Sequence, residues 1–453
     1  MIAGALLLGV LGLTLLHTLF DLPHAQLLAQ LALVAFVLVA WRQLRRLAQC
    51  FAVLGGVSLV LVGWRAEQPL AVIDAALAQG AWYCAFLVAL GCLPVASNRS
   101  ARLLAAGARL VSVAGRNRYA ALTLASHLFG LMLSLTALPL LIGAVLRHTG
   151  NDAGEAIARR RDAVLAILRG FAPTAAWSPL SIGPVVVVSV VPAASWQHVY
   201  LLGVGLAVVM LLLGALVHRI ERTPAADSPP AAAPQSWRVL LPVLALVAGI
   251  FLLLLISTTT LALSLPESVM LVIPLVTLAW LGGQRRGNAA RPSVAALTRR
   301  WRGTPPRQAT EIVVLAAAGV IGVALSALLP TAQLATALAS LDLGPTLLLL
   351  GVFWALLGAG MLGISPLVTI ILIGAILADP AQFGLPPLLL AGVFISSWCL
   401  IAQLSPYSAS ALLSAAAANM PSTTLILQWN RGFILAALLL VHASLLISGF
   451  LIR

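Results

Sequence analysis

The chain has 453 residues, of which 61% are hydrophobic and only 8% are charged, and its mean hydropathy is +1.07. A soluble globular protein carries about a quarter charged residues, so this composition excludes that class, together with disordered and fibrous chains. Runs of roughly 20 apolar residues recur along the whole length, and each is long enough to cross a bilayer as a helix. The sequence therefore predicts an all-α polytopic membrane protein, because a β-barrel would show alternating segments of about 10 residues instead.

The net charge of +14 comes from 26 basic and 12 acidic side chains, and every basic residue is arginine. These arginines lie in short stretches between apolar runs, where positive charge sets membrane topology. No basic patch is interleaved with aromatic residues, so nucleic acid is not an expected partner. The four cysteines show no metal-ligand spacing, and the chain has no protease, hydrolase or P-loop motif. We therefore expect a protein that is not an enzyme and has no cofactor or resident metal beyond a coupling ion.

About 11 stretches are predicted to cross the membrane as helices, and the first is predicted to be a retained helix and not a cleaved signal peptide. Taken along the chain, these stretches are 2–20, 26–41, 50–64, 70–95, 119–146, 196–217, 239–256, 266–283, 311–329, 344–378 and 421–451. The stretch 344–378 is too long for one straight crossing and contains Ser365-Pro366, so a kink or short break is expected there.

Two further apolar stretches, at about 162–192 and 386–418, are interrupted near the middle by Ser-Pro and other polar residues. Neither arm of either stretch is long enough to span the membrane alone, so each stretch is predicted to be a re-entrant hairpin. Non-helical backbone at that depth must be covered by protein or face a water-filled cavity.

The longest polar stretch, at 220–238, is rich in proline, alanine and serine and is predicted to be a cytoplasmic linker. N-terminal helices at 1–49 and a first repeat at 50–219 precede this linker. A second, inverted repeat at 239–453 follows it, so the linker divides the chain almost in half.

Arginine clusters predict the orientation, because positive residues are enriched on the cytoplasmic side. The clusters lie at 42–46, 99–118 and 285–307. They place the N-terminus on the cytoplasmic side, and the expected membrane is a bacterial inner membrane. One further cluster, Arg159 to Arg161, falls on the opposite side in this arrangement, next to acidic neighbours.

An internal repeat is visible in short motifs. The tetrapeptide S-P-x-S occurs at 178–181 and at 405–408, which are 227 residues apart, and LIGAVL at 141–146 is echoed by LIGAIL at 372–377. An odd number of crossings between equivalent positions would invert the second copy in the membrane. Inverted repeats with helices broken near the bilayer midplane are typical of secondary transporters.

Serine followed by proline is the expected start of a helix, because serine caps free N–H groups and proline needs no N–H in the first turn. Each Ser-Pro pair is therefore predicted to open the second arm of its hairpin, with that helix N-terminus aimed into the membrane. Such an end favours an anion, and freed backbone carbonyls would suit Na⁺. The alternative is that each pair only kinks one continuous helix. The candidate solute site comprises Ser178, Pro179, Ser181, Ser405, Pro406, Ser408 and Ser410.

Other polar residues in apolar surroundings are secondary candidates for contact with the coupling ion or the solute. Several have structural alternatives, such as packing for His127, an interfacial position for Glu267 and snorkelling to the membrane surface for Arg431. The secondary candidates are His127, Ser365, Asn419, Asn430, Arg431 and Glu267, with Gln403 weaker still.

The paired interrupted segments and their serines make the layout resemble the ion transporter superfamily, which includes divalent anion:sodium symporters and arsenite-type permeases. The resemblance covers about residues 119–451. In the symporter branch the hairpin tips carry Ser-Asn-Thr, whereas this chain has Ser178-Pro179-Leu180 and Ser405-Pro406-Tyr407, so only the two serines correspond. The resemblance implies an elevator motion of the domain that bears the hairpins, and a homodimer.

We therefore expect a secondary active transporter that moves a small anionic solute across the lipid bilayer, coupled to Na⁺ or H⁺. One alternative is a permease subunit that works with partner proteins, or a translocator of a lipid-linked anion. A membrane-embedded enzyme is a further alternative, but the sequence shows no catalytic set for it.

Overall fold

The computed structural model describes residues 2–97, 100–113, 115–146, 153–221, 236–283, 306–328 and 343–451, with residues 333, 336–338, 340 and 341. In this part of the chain all regular structure is helical, and 12 helical segments are long and apolar enough to cross a membrane. Large apolar side chains such as Leu212 and Leu439 stay exposed along these helices. Lipid covers such surfaces in a membrane. The predicted all-α polytopic class is confirmed.

Proline occupies the first turn of several helices, where its missing N–H has no intrahelical partner to lose. The helices before the linker are α1 Ile2–Phe20, α2 Pro23–Ala40, α3 Arg46–Arg65, α4 Pro69–Leu90, α5 Leu93–Ser97, α6 Ala101–Val111, α7 Arg118–Leu133, α8 Ala137–Leu146, α9 Ala153–Phe171, α10 Thr174–Trp177, α11 Ile182–Val190 and α12 Trp196–Glu221.

The same first-turn prolines recur in the second half of the chain. The helices there are α13 Leu241–Thr260, α14 Leu265–Gly283, α15 Pro306–Leu328, α16 Pro345–Met361, α17 Pro366–Ile376, α18 Pro387–Leu404, α19 Ala409–Ala417 and α20 Arg431–Leu451, with a π-helical segment Thr424–Trp429 before α20.

The 12 segments comprise the predicted spans other than 344–378, together with the two interrupted stretches. The stretch 344–378 is divided into α16 and α17 by a non-helical segment, as its length led us to expect. Residues 222–235 of the predicted linker, and all but the last two residues of the arginine cluster at 285–307, lie outside the described residues.

Two compact units make up the chain, and each draws on both chain halves. The first unit comprises Met1–Ser100, Leu246–Thr336 and Gly374–Ile376. Within it α15 packs along α3 and α4, and α1 packs on α2 and α4. Gly80 of α4 lies against the Val320 side chain of α15, and its missing Cβ lets these helices approach closely.

The second unit comprises Ala101–Ala245, Ala337–Ile373 and Leu377–Arg453. Within it α7 packs along α9, and side-chain hydroxyls tie the two helices together. Ser126 donates to the Ile167 carbonyl at 2.6 Å and Thr123 to the Ala166 carbonyl at 3.3 Å. Both interrupted stretches belong to this unit.

The two interruptions have the same local structure at a constant offset. The first separates α10 from α11, and the second separates α18 from α19. The positions at which α11 begins and ends, 182 and 190, lie 227 residues before those of α19, 409 and 417. This correspondence supports the predicted internal repeat, whereas its inversion in the membrane stays a prediction.

Gly203 of α12 lies against the backbone of α10, so closely that a Cβ at this position would overlap the Ala176 carbonyl oxygen. Gly205, two residues further along the same helix, has no atom within 4 Å of the position its Cβ would take. The two glycines therefore form a matched pair for testing how closely α12 packs on the first interruption.

We expect Gly203→Ala to lower the melting temperature of the purified protein in detergent, because the methyl group would force α12 away from α10 at a cost of about 1–3 kcal/mol. Gly205→Ala is the control and should leave the melting temperature unchanged or raise it, since alanine favours a helix by up to ~1 kcal/mol. Thermal unfolding followed by intrinsic fluorescence makes the measurement. Equal effects of the two substitutions would contradict the close contact.

Candidate functional site

The helical arms that follow the two interruptions begin later than the Ser-Pro pairs predicted. The first arm, α11, has Ser181 in its N-cap position, and the second, α19, has Ser408 there. The Ser408 hydroxyl accepts a hydrogen bond from the Ala411 N–H at 3.1 Å. The prediction that Ser178-Pro179 and Ser405-Pro406 open these arms is therefore wrong by three residues.

The reason for the late start is a turn formed by the serine of each pair. The Ser178 hydroxyl accepts from the Leu180 N–H at 3.1 Å, and the Ser405 hydroxyl accepts from the Tyr407 N–H at 3.2 Å. Such bonds stabilise a turn and postpone the helix. By contrast, Ser365 does occupy the N-cap position of α17, with Pro366 in its first turn.

The serines of the second interruption are engaged in closing it. Ser405 is 1% exposed, and its hydroxyl donates to the Gly360 carbonyl of α16 at 2.6 Å. Ser408 donates to the Ala402 carbonyl at 3.2 Å, and Ser410 donates to the same carbonyl. These bonds fix the shape of the interruption, and direct contact of these serines with solute or Na⁺ stays a prediction.

His127 of α7 fixes the first interruption from the side. Its Nδ1 lies 2.9 Å from the Gly170 carbonyl oxygen, and its Nε2 accepts from the indole N–H of Trp177 at 3.1 Å. Both bonds form together only on the neutral ring with its proton on Nδ1. Because Trp177 is the last residue of α10, this ring positions the backbone directly before Ser178.

The other secondary candidates lie at helix ends. Glu267 belongs to the first unit, where its carboxylate accepts from the Ser264 N–H at 2.8 Å and caps the start of α14. Asn419 follows α19 in the left-handed conformation, with φ of 47°, which asparagine tolerates at helix ends. Arg431 is exposed at the first position of α20.

The most buried polar cluster of the second unit centres on Arg169, which the sequence analysis did not single out. This arginine of α9 is 1% exposed, and its Nε donates to Asn430 Oδ1 at 2.8 Å. Asn430 is fully buried, and its Nδ2 donates to the Gln403 backbone carbonyl at 3.2 Å. We call Arg169, Asn430 and Gln403 the Arg169 cluster. Within it, Gln403 lies two residues before Ser405, in the last turn of α18.

One sequence signal would have found the cluster. Arg169 stands in the apolar run AVLAILRGF, and an ionisable residue inside a spanning segment is a functional-site candidate by default. The cluster Arg159 to Arg161 is flanked by acidic residues, whereas Arg169 stands alone among apolar residues, and that isolation is the signal.

Several polar atoms of the Arg169 cluster have no hydrogen-bond partner among the described residues. Arg169 Nη2 is buried, and its nearest opposite charge is Glu221 Oε2 at 3.8 Å, beyond hydrogen-bond distance. The Gln403 side chain is 1% exposed, and its amide lies near the weakly polar Cys399 thiol one turn earlier, with no stronger partner among the described residues. An unsatisfied buried donor costs about 1–3 kcal/mol, so these atoms are candidate contacts for an internal water or a bound ligand.

A local irregularity sets the direction of Asn430. The π-helical segment Thr424–Trp429 ends directly before it, and the Asn430 N–H returns to the Leu425 carbonyl at 3.1 Å. Single turns of π-helix are often found at functional sites, because they re-aim the residues that follow. Here the irregular turn also leaves the Trp429 carbonyl free to accept from Arg161 at 3.3 Å.

No family model and no curated protein matches the chain. Among solved structures, the YdaH transporter of Alcanivorax borkumensis, described as having an unusual topology, is similar in fold. The match covers 90% of this chain and 97% of that chain, with a TM-score of 0.56 and 16% sequence identity. The chain is thus a polytopic helical membrane protein whose fold is shared with a solved transporter.

We expect Asn430→Leu to destabilise the protein by about 1–3 kcal/mol, because it leaves the buried Arg169 Nε without an acceptor. Asn430→Asp keeps an acceptor oxygen opposite Arg169 and should unfold at a higher temperature than Asn430→Leu. Thermal unfolding in detergent compares the two variants with the unaltered protein. Identical melting temperatures for all three would show that the Arg169–Asn430 hydrogen bond does not support the fold.

Proposed function

We propose that the chain is a secondary active transporter that moves a small anionic solute across the membrane, coupled to Na⁺ or H⁺. The observation that carries this proposal is Arg169, a positive charge almost wholly buried in a spanning segment beside a helix interruption. A guanidinium presents paired N–H donors that match a carboxylate or phosphate, and these charge-assisted bonds are among the strongest in proteins.

The donors that face no partner suggest how the anion binds. Arg169 Nη2 and the Gln403 amide nitrogen both lack hydrogen-bonded acceptors among the described residues, and both residues are linked to Asn430, Arg169 through its Nε and Gln403 through its backbone carbonyl. An anion that accepts from them would satisfy buried groups that are otherwise costly. In this proposal the serines at 405, 408 and 410 act by fixing the backbone geometry of the interruption.

The arrangement of the helices also supports transport. Two interruptions at equivalent repeat positions are the arrangement that secondary transporters use to build a site within the membrane. The YdaH transporter, which is similar in fold, is a transporter by description. Division of the chain into two compact units is what a rigid-body motion requires. The proposal therefore includes membership of the ion transporter superfamily, re-entrant segments, an elevator motion and a homodimer.

Uptake into proteoliposomes tests the proposal, with radiolabelled succinate, lactate and inorganic phosphate as probes under Na⁺ and proton gradients. We expect the unaltered protein to accumulate at least one probe. Arg169→Gln should lower that uptake by about 10- to 150-fold, which corresponds to losing a charged hydrogen bond of about 1.5–3 kcal/mol. Arg169→Lys keeps the charge but not the planar guanidinium, so its uptake should lie between that of the unaltered protein and that of Arg169→Gln.

Arg219→Gln is the matched control, because this arginine is exposed at the end of α12. It should transport normally. Melting temperatures of all variants separate loss of binding from loss of folding. The proposal fails if the unaltered protein takes up none of the probes, or if folded Arg169→Gln takes them up at the normal rate.

Ser405→Ala should weaken uptake several-fold without unfolding the protein, because it removes the hydroxyl that ties the second interruption to Gly360 and Tyr407. Two neutral hydrogen bonds are lost, and each corresponds to about 0.5–1.5 kcal/mol. Ser444→Ala, at an exposed position of α20, serves as the control. Unchanged uptake by Ser405→Ala would remove this serine from the transport site.

A further inference from the structure

Glu221 is the last residue of α12, and its carboxylate lies between two arginines of α9. Its Oε2 accepts from Arg161 Nη2 at 3.3 Å and lies 3.8 Å from Arg169 Nη2. The Glu221 side chain is 25% exposed, whereas that of Arg169 is 1% exposed. The carboxylate is therefore within reach of water and, at the same time, of the most buried positive charge.

Among the carboxylates of the described residues, Glu221 alone comes within 4.0 Å of Arg169. It is thus the resident counter-anion of the site. Any solute anion that binds Arg169 must share the guanidinium with this carboxylate or replace it. A solute anion at Arg169 and the Glu221 carboxylate repel each other, and Arg161, which binds this carboxylate at 3.3 Å from the more exposed side, offsets only part of that repulsion.

Several other charged or titratable groups lie on α12 and on the helices α7, α9 and α20 that pack against it. On α12 itself, His218 Nδ1 lies 4.0 Å from Asp162 Oδ2 of α9, and the His218 ring stacks on Tyr119 of α7. Arg118 at the start of α7 is in electrostatic range of Arg159 and Asp162. The helix that follows Asn430 contributes the exposed Arg431, and Arg219 is exposed on α12.

Most of these groups are arginines, so this end of the second unit is positive. Such a field attracts anions. Asp162 is the other described carboxylate in the region, and its Oδ2 lies 4.0 Å from His218 Nδ1.

We propose that Glu221 both balances Arg169 in the empty transporter and accepts the proton that couples transport. This inference rests on the proposed function and names its coupling ion and its acceptor. A proton from water bonds to the Glu221 carboxylate, which becomes a neutral acid and releases Arg169. The solute anion then balances the arginine, so anion and proton are bound together. After the anion leaves on the other side, the proton passes to water on that same side, and Glu221 pairs with Arg169 again.

Binding of the anion and binding of the proton are then reciprocally linked. A proton on Glu221 removes the negative charge that repels the anion, and the bound anion in turn favours protonation of Glu221. Couplings of this kind change affinity by about 5- to 150-fold. The apparent affinity for the transported anion should therefore rise by a factor in this range as the pH is lowered, and an inward proton gradient should drive uptake.

The experiment compares unaltered protein with Glu221→Gln, using whichever of succinate, lactate or phosphate the unaltered protein accumulates. The glutamine mimics the protonated acid. We expect Glu221→Gln to exchange labelled for unlabelled probe across the liposome membrane, but to show no response to a proton gradient. A pH-sensitive dye inside the liposomes should report proton entry with the unaltered protein and none with the variant.

Two controls isolate Glu221. Asp162→Asn removes the neighbouring carboxylate and Glu67→Gln removes an exposed one in the first unit, and both should keep the response to the proton gradient. If Glu221→Gln does not fold, Glu221→Asp takes its place. The shorter side chain draws the carboxylate away from Arg169, so anion affinity at high pH should rise several-fold while proton entry persists.

The outcomes separate the two proposals. The role of Glu221 is overturned by any of three results. These are proton-driven uptake that persists in Glu221→Gln, loss of the proton response in Asp162→Asn, and unchanged anion affinity in Glu221→Asp. Uptake driven by Na⁺ without proton entry also overturns it, and leaves the proposed transport function standing. Absence of uptake of every probe by the unaltered protein overturns the transport function, and this inference with it.

Discussion

The burial of Arg169 is the constraint on which the rest of the second unit depends. A charged side chain inside a spanning segment is expensive, so it persists only where protein groups replace its hydration. Here one amide, one carboxylate and one aromatic face share that task. Asn430 accepts from Nε, Glu221 lies 3.8 Å from Nη2, and the Phe433 ring centroid lies 5.1 Å from Cζ. These groups come from α12, α20 and the turn before it, so the arginine fixes where those elements meet.

The two interruptions match in their local structure but differ in the polar groups that contact them. At the first interruption, Gly203 leaves the Ala176 carbonyl touching bare helix backbone. At the equivalent position 227 residues later, Asn430 reaches the Gln403 carbonyl with its side chain. A glycine at one of these positions and an asparagine at the other thus give only the second interruption an amide side chain on its preceding carbonyl. The same replacement supplies the acceptor for Arg169.

The serine hydroxyls of the two interruptions form hydrogen bonds with the backbone. In both interruptions the first serine binds an N–H two residues on, and the last serine stands at the N-cap of the next helix. Within a membrane, backbone groups released by an interruption must find partners in the protein. Short side chains with both donor and acceptor capacity are suited to that requirement, which explains why serine recurs at these positions.

Sequence alone determined the membrane class, nearly all spanning helices, the two interruptions and their offset, because these follow from apolar runs and local breaks in them. The tertiary structure decided where the helices resume, since competing turn bonds at Ser178 and Ser405 are local geometry that composition does not reveal. It also decided the Arg169 cluster. Arg169 and Asn430 are 261 residues apart, and only packing shows that one of the chain's 26 arginines is buried against an amide while others, such as Arg219 and Arg431, reach the surface.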